Sequence, residues 1–167
     1  VVKIQVGEQY PYNDNLNLAI KYNDTELLQR LISEIIPEFL EESDISEAAF
    51  ITKKLYYRER NQFNKYQFEV NTFVNNQVNI ESRPEALFQN AMEIIETMDD
   101  NSMYVFATAL LSQSIDLKED YFEAMALLGY ANGILENYTK ADEILVKAKA
   151  LATDTEEKEM VDNINPA

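Results

Sequence analysis

Apolar residues along this chain recur every third or fourth position through most of its length, the period of an amphipathic helix. From Asp24 the positions Leu27, Leu28, Leu31, Ile32, Ile35 and Ile36 follow that spacing until Pro37, which predicts a helix ending there. A shorter pattern covers 14–22, after a segment, "GEQYPYND", that reads as a turn. Asp44 and Glu47 form a capping-box pattern opening a helix to about Arg60, and Phe63, Tyr66, Val70, Phe73 and Val74 extend the period through 62–77. Ser82 and Glu85 repeat the box, with Pro84 in the first turn of a helix to about Met98. "DDNS" (99–102) and "LKED" (117–120) punctuate two more helices, "ENYTK" leads into another, and Asp154 with Glu157 caps a last short one before Pro166. Only "VVKIQV" alternates, with Val2, Ile4 and Val6 on one side and Lys3 and Gln5 on the other, as a strand does. With no second strand to pair with, residues 1–13 read as an extended leader or the tail of a preceding domain, and 14–165 as one helical domain. The expected fold class is all-α, with eight or so helices joined by short turns.

Composition narrows the classes. The 167 residues include 3 Gly and 4 Pro, sparse punctuation for a sheet protein with many tight turns. Thirty acidic against 14 basic residues give a net charge of −16, and the excess is 4 in residues 1–80 and 12 in 81–167. Such a surface repels phosphate backbones and anionic lipid, so no nucleic acid is expected as partner. The longest apolar stretch, "MYVFATALL" (103–111), is about half a membrane span, so no membrane insertion is expected. Cys and His are both absent, which removes thiol chemistry, Cys/His zinc sites and nucleophile–histidine pairs. The chain opens on Val rather than Met and shows no signal peptide, which reads as a processed product or a piece of something longer.

Helix pairs invite a search for repeats. At a shift of 34 residues Ile94 falls on Leu128, Ala107 on Ala141, Leu111 on Leu145 and Ser114 on Ala148, which defines units of about 88–121 and 122–155. The alternation of small and large positions is what closely crossing helices require. The second unit resembles the tetratricopeptide repeat (TPR). Leu128-Gly129 matches that family's Leu-Gly pair, and Ala141, Leu145 and Ala148 match its small–large–small positions. Asn132 stands where an aromatic is usual, Thr153 where Pro often closes the repeat, and Ile95 replaces Gly in the first unit. The resemblance implies antiparallel helix pairs stacked as an α–α superhelix whose first helices line a concave, partner-binding face. In that register the face carries Gln89, Met92, Glu96, Glu123, Ala126 and Tyr130. The family's carboxylate clamp depends on Lys, Arg and Asn there, whereas this face offers Glu, Met and Tyr. The partner expected is a protein or peptide segment, basic or apolar, and the module is expected to be non-catalytic. A longer stretch, from "NQFNKYQFEVNTFVNN" to "ENYTKADEILVKAKAL", resembles the helical extension after thioredoxin-like domains of some bacterial envelope proteins. That alternative implies an accessory domain for docking or dimerisation in the envelope or periplasm, and without it a cytoplasmic setting is the expectation.

Other chemistries have simpler explanations. Gly129 and Gly133 could suggest a phosphate loop, but no strand precedes them and no Lys follows at the required offset. Gly129 is read as a packing residue and Gly133 as relief at a helix end. Paired carboxylates could serve a hydrolase, and "MDDNS" (98–102) or "EFLEESDISE" (38–47) could hold a metal, but helix caps and solvated faces account for both. No catalytic residue, metal or cofactor is therefore assigned. In "TKKLYYRERNQFNKYQF" (52–68) the cations Lys53, Lys54, Arg58, Arg60 and Lys65 interleave with aromatics. A surface for an acidic partner is one reading of this stretch. The simpler one makes Tyr56, Phe63, Tyr66 and Phe68 core and pairs the cations with the acidic C-terminal half.

Overall fold

The computed structural model describes residues 10–164. The strand pattern at 1–6 lies outside the described residues. Among those described, nine helical rods pack in sequential antiparallel pairs, and no strand occurs. The rods are α1 (Tyr10–Tyr22), a composite of α2 (Thr25–Arg30), a π-helical turn (Leu31–Ile35) and α3 (Ile36–Phe39), then α4 (Glu42–Glu59), α5 (Phe63–Asn76), α6 (Arg83–Thr97), α7 (Asn101–Leu117), α8 (Phe122–Ile134), α9 (Tyr138–Leu151) and α10 (Thr155–Asn163). Two compact units divide the chain within α5, at Phe73/Val74. Among the described residues no helix is long and apolar enough to cross a membrane.

In the first unit Leu16, Ala19, Leu28, Leu31 and Tyr56 form the buried centre. Thr52 gives its only hydroxyl proton to the Ala48 carbonyl (2.7 Å), so the Tyr12 phenol must donate to Thr52 Oγ1 (2.9 Å), joining α1 to α4. Several local expectations change here. Helix α1 starts at Tyr10, so part of the supposed turn is helical; Pro11 is tolerated because first-turn N–H groups have no helical acceptor. Pro37 does not stop its helix. The Ile36 N–H reaches back to the Leu31 carbonyl, five residues away, and this π-turn resets the ladder so that Pro37 sits at the start of α3. Helix α4 begins at Glu42 after Glu41, so Asp44 lies in its first turn and no capping box forms there.

The basic–aromatic stretch is absorbed within this unit. Tyr56 and Tyr66 are buried, Phe63 is half-buried, and Phe68 is exposed (66%) on the outer side of α5, not in the core. The Lys53 ammonium pairs with Glu69 (3.1 Å), Arg58 with Glu59 (3.1 Å), and the Lys65 ammonium lies over the Tyr57 ring (5.4 Å). Lys54 is itself buried, its ammonium 5.0 Å from the Phe50 ring centre and 5.9 Å from that of Tyr66. Lys53, Lys54, Arg58 and Lys65 meet carboxylates and rings within unit 1, because helices α4 and α5 supply both within a few turns.

In the second unit each helix packs on the next from α6 to α10, and α6 also touches α8. Positions 34 residues apart share burial: Ile94 and Leu128, Ala107 and Ala141, Leu111 and Leu145, Ser114 and Ala148 are all buried. Helix α6, however, starts at Arg83, earlier than the repeat frame at 88. Ser82 makes no side-chain cap there, and Glu85 is engaged elsewhere. Asp154 does cap α10, accepting from the Glu157 N–H (2.9 Å), while Glu157 reaches back to the Thr153 N–H (2.5 Å). A Cβ on Gly129 would lie 2.6 Å from Leu145 Cγ and 2.5 Å from Cδ2, so α8 and α9 approach as closely as a missing side chain permits. Gly133 keeps an ordinary helical backbone; the positive φ that closes α8 belongs to Glu136 (φ 60°), so the helix-end role falls to that residue.

This contact generates a stability prediction. Gly129→Ala gains about 1 kcal/mol of helix propensity but overpacks against Leu145, at about 1–3 kcal/mol. A net loss near 1 kcal/mol is expected in urea unfolding. Leu145→Ala alone should cost about 2–5 kcal/mol, and the double variant should be more stable than the sum of the two by at least about 0.5 kcal/mol. Additive losses would show that the two residues do not share the contact.

Candidate functional site

Helices α6 and α8 carry the residues singled out from the repeat register. Glu85, Gln89, Met92 and Glu96 recur at three- and four-residue steps and share one side of α6. Glu123, Ala126 and Tyr130 do the same on α8. Gln89, Glu96 and Glu123 are exposed, Met92 is half-buried and Tyr130 is 45% exposed. Ala126 is different. At 2% exposure it packs with Phe122, Leu145, Ala148 and Val161, so its methyl faces the core under α10 and not solvent.

A clasp joins the beginnings of the two helices. The buried Tyr121, immediately before α8, donates its phenol to Glu85 Oε2, and Gln89 Nε2 donates to the other oxygen of the same carboxylate (2.6 Å). The Lys118 ammonium lies 3.9 Å from the centre of the Tyr121 ring, which also tilts against Phe88 at 5.3 Å. The Tyr121 hydrogen bond, then that of Gln89, then the nearby Lys118 charge hold the Glu85 carboxyl below its usual range. Burial, followed by the Glu85 carboxylate, pushes the Tyr121 phenol well up. Behind the clasp, the buried Ser114 hydroxyl donates to the Pro84 carbonyl (2.7 Å), fastening the end of α7 to the start of α6.

At the far end Tyr104, near the start of α7, is buried. Its phenol is raised first by that burial and then by the fields of Asp99, Tyr130 and Asp100. The start of α8 meets the start of α6 at the clasp, and because successive helices pack antiparallel, α6 and α8 run parallel with α7 running back the other way. Asp100 caps α7, accepting from the Met103 N–H (3.1 Å) and from the Ser102 hydroxyl, and these donors keep its carboxyl low. That capping is the use to which "MDDNS" is put. Among the described residues no group of three or more Asp or Glu is placed to hold a metal ion.

The clasp was missed from sequence because Glu85 looked like a cap partner for Ser82 and nothing in the local pattern singled out Tyr121. The usable signal was their separation of 36, close to the 34-residue repeat, which brings equivalent turns of successive units together. No protein-family model, curated protein or solved structure matches this chain.

The clasp has a pH signature. Glu85 has a depressed pKa in the folded chain, so its contribution is present above the unfolded-state value of about 4.5 and is lost as pH falls through the lower folded value. Wild type should therefore lose more stability between pH 7 and pH 3 than Glu85→Gln, measured by urea unfolding at both. Tyr121→Phe should cost about 1 kcal/mol at pH 7. A wild type that loses no more stability than Glu85→Gln between pH 7 and pH 3 would mean that the carboxylate form of Glu85 does not matter.

Proposed function

We propose that this chain is a non-catalytic binding module in which α6–α9 form two TPR-like units, with a face on α6 and α8 that receives a basic or apolar polypeptide segment. The observation that carries this reading is the shared burial of the 34-shifted positions, combined with first helices that run parallel and leave Gln89, Met92, Glu96, Glu123 and Tyr130 at least partly accessible. Parallel first helices with second helices returning between them are the geometry of a helical-repeat groove.

Charge supports the choice of partner. Helices α6 and α8 carry Glu85, Glu93, Glu96 and Glu123, and their single cation, Arg83, is engaged with the carbonyls of Asn75 (2.7 Å) and Val78 (3.2 Å). The returning α9 carries Lys140, Lys147 and Lys149. The first helices thus present acid with no competing basic side chain. Tyr130 adds a ring on which a Lys or Arg, or an apolar side chain, can rest. Gln89 is tied to Glu85, so it shapes the rim of the face.

The test uses synthetic peptides alternating Lys with Leu, and Glu with Leu as the contrast, titrated by calorimetry at two salt concentrations. The Lys–Leu peptide is expected to bind and the Glu–Leu peptide not. Glu96→Gln with Glu123→Gln should weaken the Lys–Leu peptide about 10-fold and flatten its salt dependence. Unchanged affinity in the double variant would overturn the reading.

A further inference from the structure

Helix α10 covers part of α8 and α9 with little of its own substance. Of its nine residues only Val161 is buried, seated against Phe122, Ala126, Leu145 and Ala148, with Ile164 half-buried just beyond. Most of the rest is polar or charged and exposed, and the apolar Met160 is exposed as well (48%). Its one ion pair, Asp162 with Lys149 (2.5 Å), has both side chains about half-exposed, where such pairs contribute little. The joint at 152–154 is short, and the Asp154–Glu157–Thr153 bonds that start α10 lie entirely within the joint and its first turn. They keep the helix formed without attaching it to α8 or α9. An element held by one buried side chain, a half-buried one just beyond it and an exposed ion pair belongs to the part of a structure that opens first.

What lies beneath it is continuous with the proposed face. Ala126 stands three residues after Glu123 and four before Tyr130, on the same stripe of α8. We infer that α10 is a hinged cover over the apolar seat formed by Phe122, Ala126, Leu145 and Ala148, opening as a unit while α6–α9 stay folded. The segment that takes its place is an aliphatic side chain of the same basic or apolar polypeptide, standing where Val161 now stands. The occupant rests on the proposed function; the opening does not. With the cover closed, the face ends at Glu123 and Tyr130. Lifting α10 adds an aliphatic pocket between them, so binding and release of α10 are coupled.

The absence of cysteine supplies the test. Ala126→Cys places a single thiol under α10, and Ala107→Cys places one in the fully buried contact on α7. In the full chain, an aromatic disulfide reagent should modify the first at least about 10-fold faster than the second. Adding Val161→Ala should speed the Ala126→Cys reaction about 10-fold further and leave Ala107→Cys unchanged. Equal rates at the two positions, or equal acceleration of both, would overturn the cover, since α10 would then open only with the whole unit. Saturating Lys–Leu peptide should slow modification of Ala126→Cys by occupying the seat. A peptide that binds without changing this rate would overturn the assigned occupant. A peptide that does not bind would overturn the functional reading and the occupant with it, leaving the cover to stand or fall on the two thiol rates.

Discussion

The close crossing of α8 and α9 at Gly129 and Leu145 is the constraint on which the second unit depends. With a Cβ position on Gly129 only 2.6 Å from Leu145 Cγ, the interaxial distance is set by the absence of one methyl group. Leu145 can then lie flat on α8, and Ala141 and Ala148, one turn to either side on α9, keep the rest of the helix equally close. A wider crossing would leave voids along this seam, each costing dispersion contacts and transfer energy. Because Leu145 also helps form the seat of Val161, the same crossing positions α10. A local absence of side chain thus propagates through three helices.

The clasp at the other side of α8 works by a different force. Packing by Gly129 brings α8 to α9 but leaves its approach to α6 open. Tyr121 closes that approach because a buried phenol needs an acceptor and a partly exposed carboxylate gains from a donor. Lys118 over the ring and Gln89 on the second carboxylate oxygen complete a small network whose members come from α6 and from the joint before α8. Since hydrogen bonds are directional where apolar contacts are not, this network fixes how the joint before α8 meets the start of α6, while α8 itself is seated by its packing on α7 and α9.

Much of this was legible in the sequence, for physical reasons. Periodicity placed the helices because burial follows it, and the 34-residue shift predicted four pairs of core positions because small and large residues must alternate where helices cross. The misreadings came where backbone or side chains had a second option. Pro37 should end a helix, yet a π-turn upstream removes the clash. Glu85 satisfies a capping pattern with Ser82, yet a phenol 36 residues away is the partner it takes. Ala126 fits a face position, but a small apolar side chain is indifferent to whether water or Val161 covers it, so register alone could not assign it to a surface. Phe68 shows the converse, since an aromatic at an interleaved position was read as core and is exposed.

Charge is distributed unevenly among these elements. The cations of the second unit lie at the start of α6, at the joint before α8, and on α9 and α10: Arg83 caps the carbonyls at the end of α5 and beyond, Lys118 lies over Tyr121, and Lys149 meets Asp162. In these positions they fasten turns and helix ends together. Glu96, near the end of α6, and Glu123, at the start of α8, are both exposed. Helix α9 mixes the two signs, with Lys140, Lys147 and Lys149 beside Asp142 and Glu143, whereas α6 and α8 carry four glutamates and one cation, Arg83, which is bound to carbonyls. On the proposed reading, an incoming cation would meet attraction along those two helices, with the approach guided before contact is made.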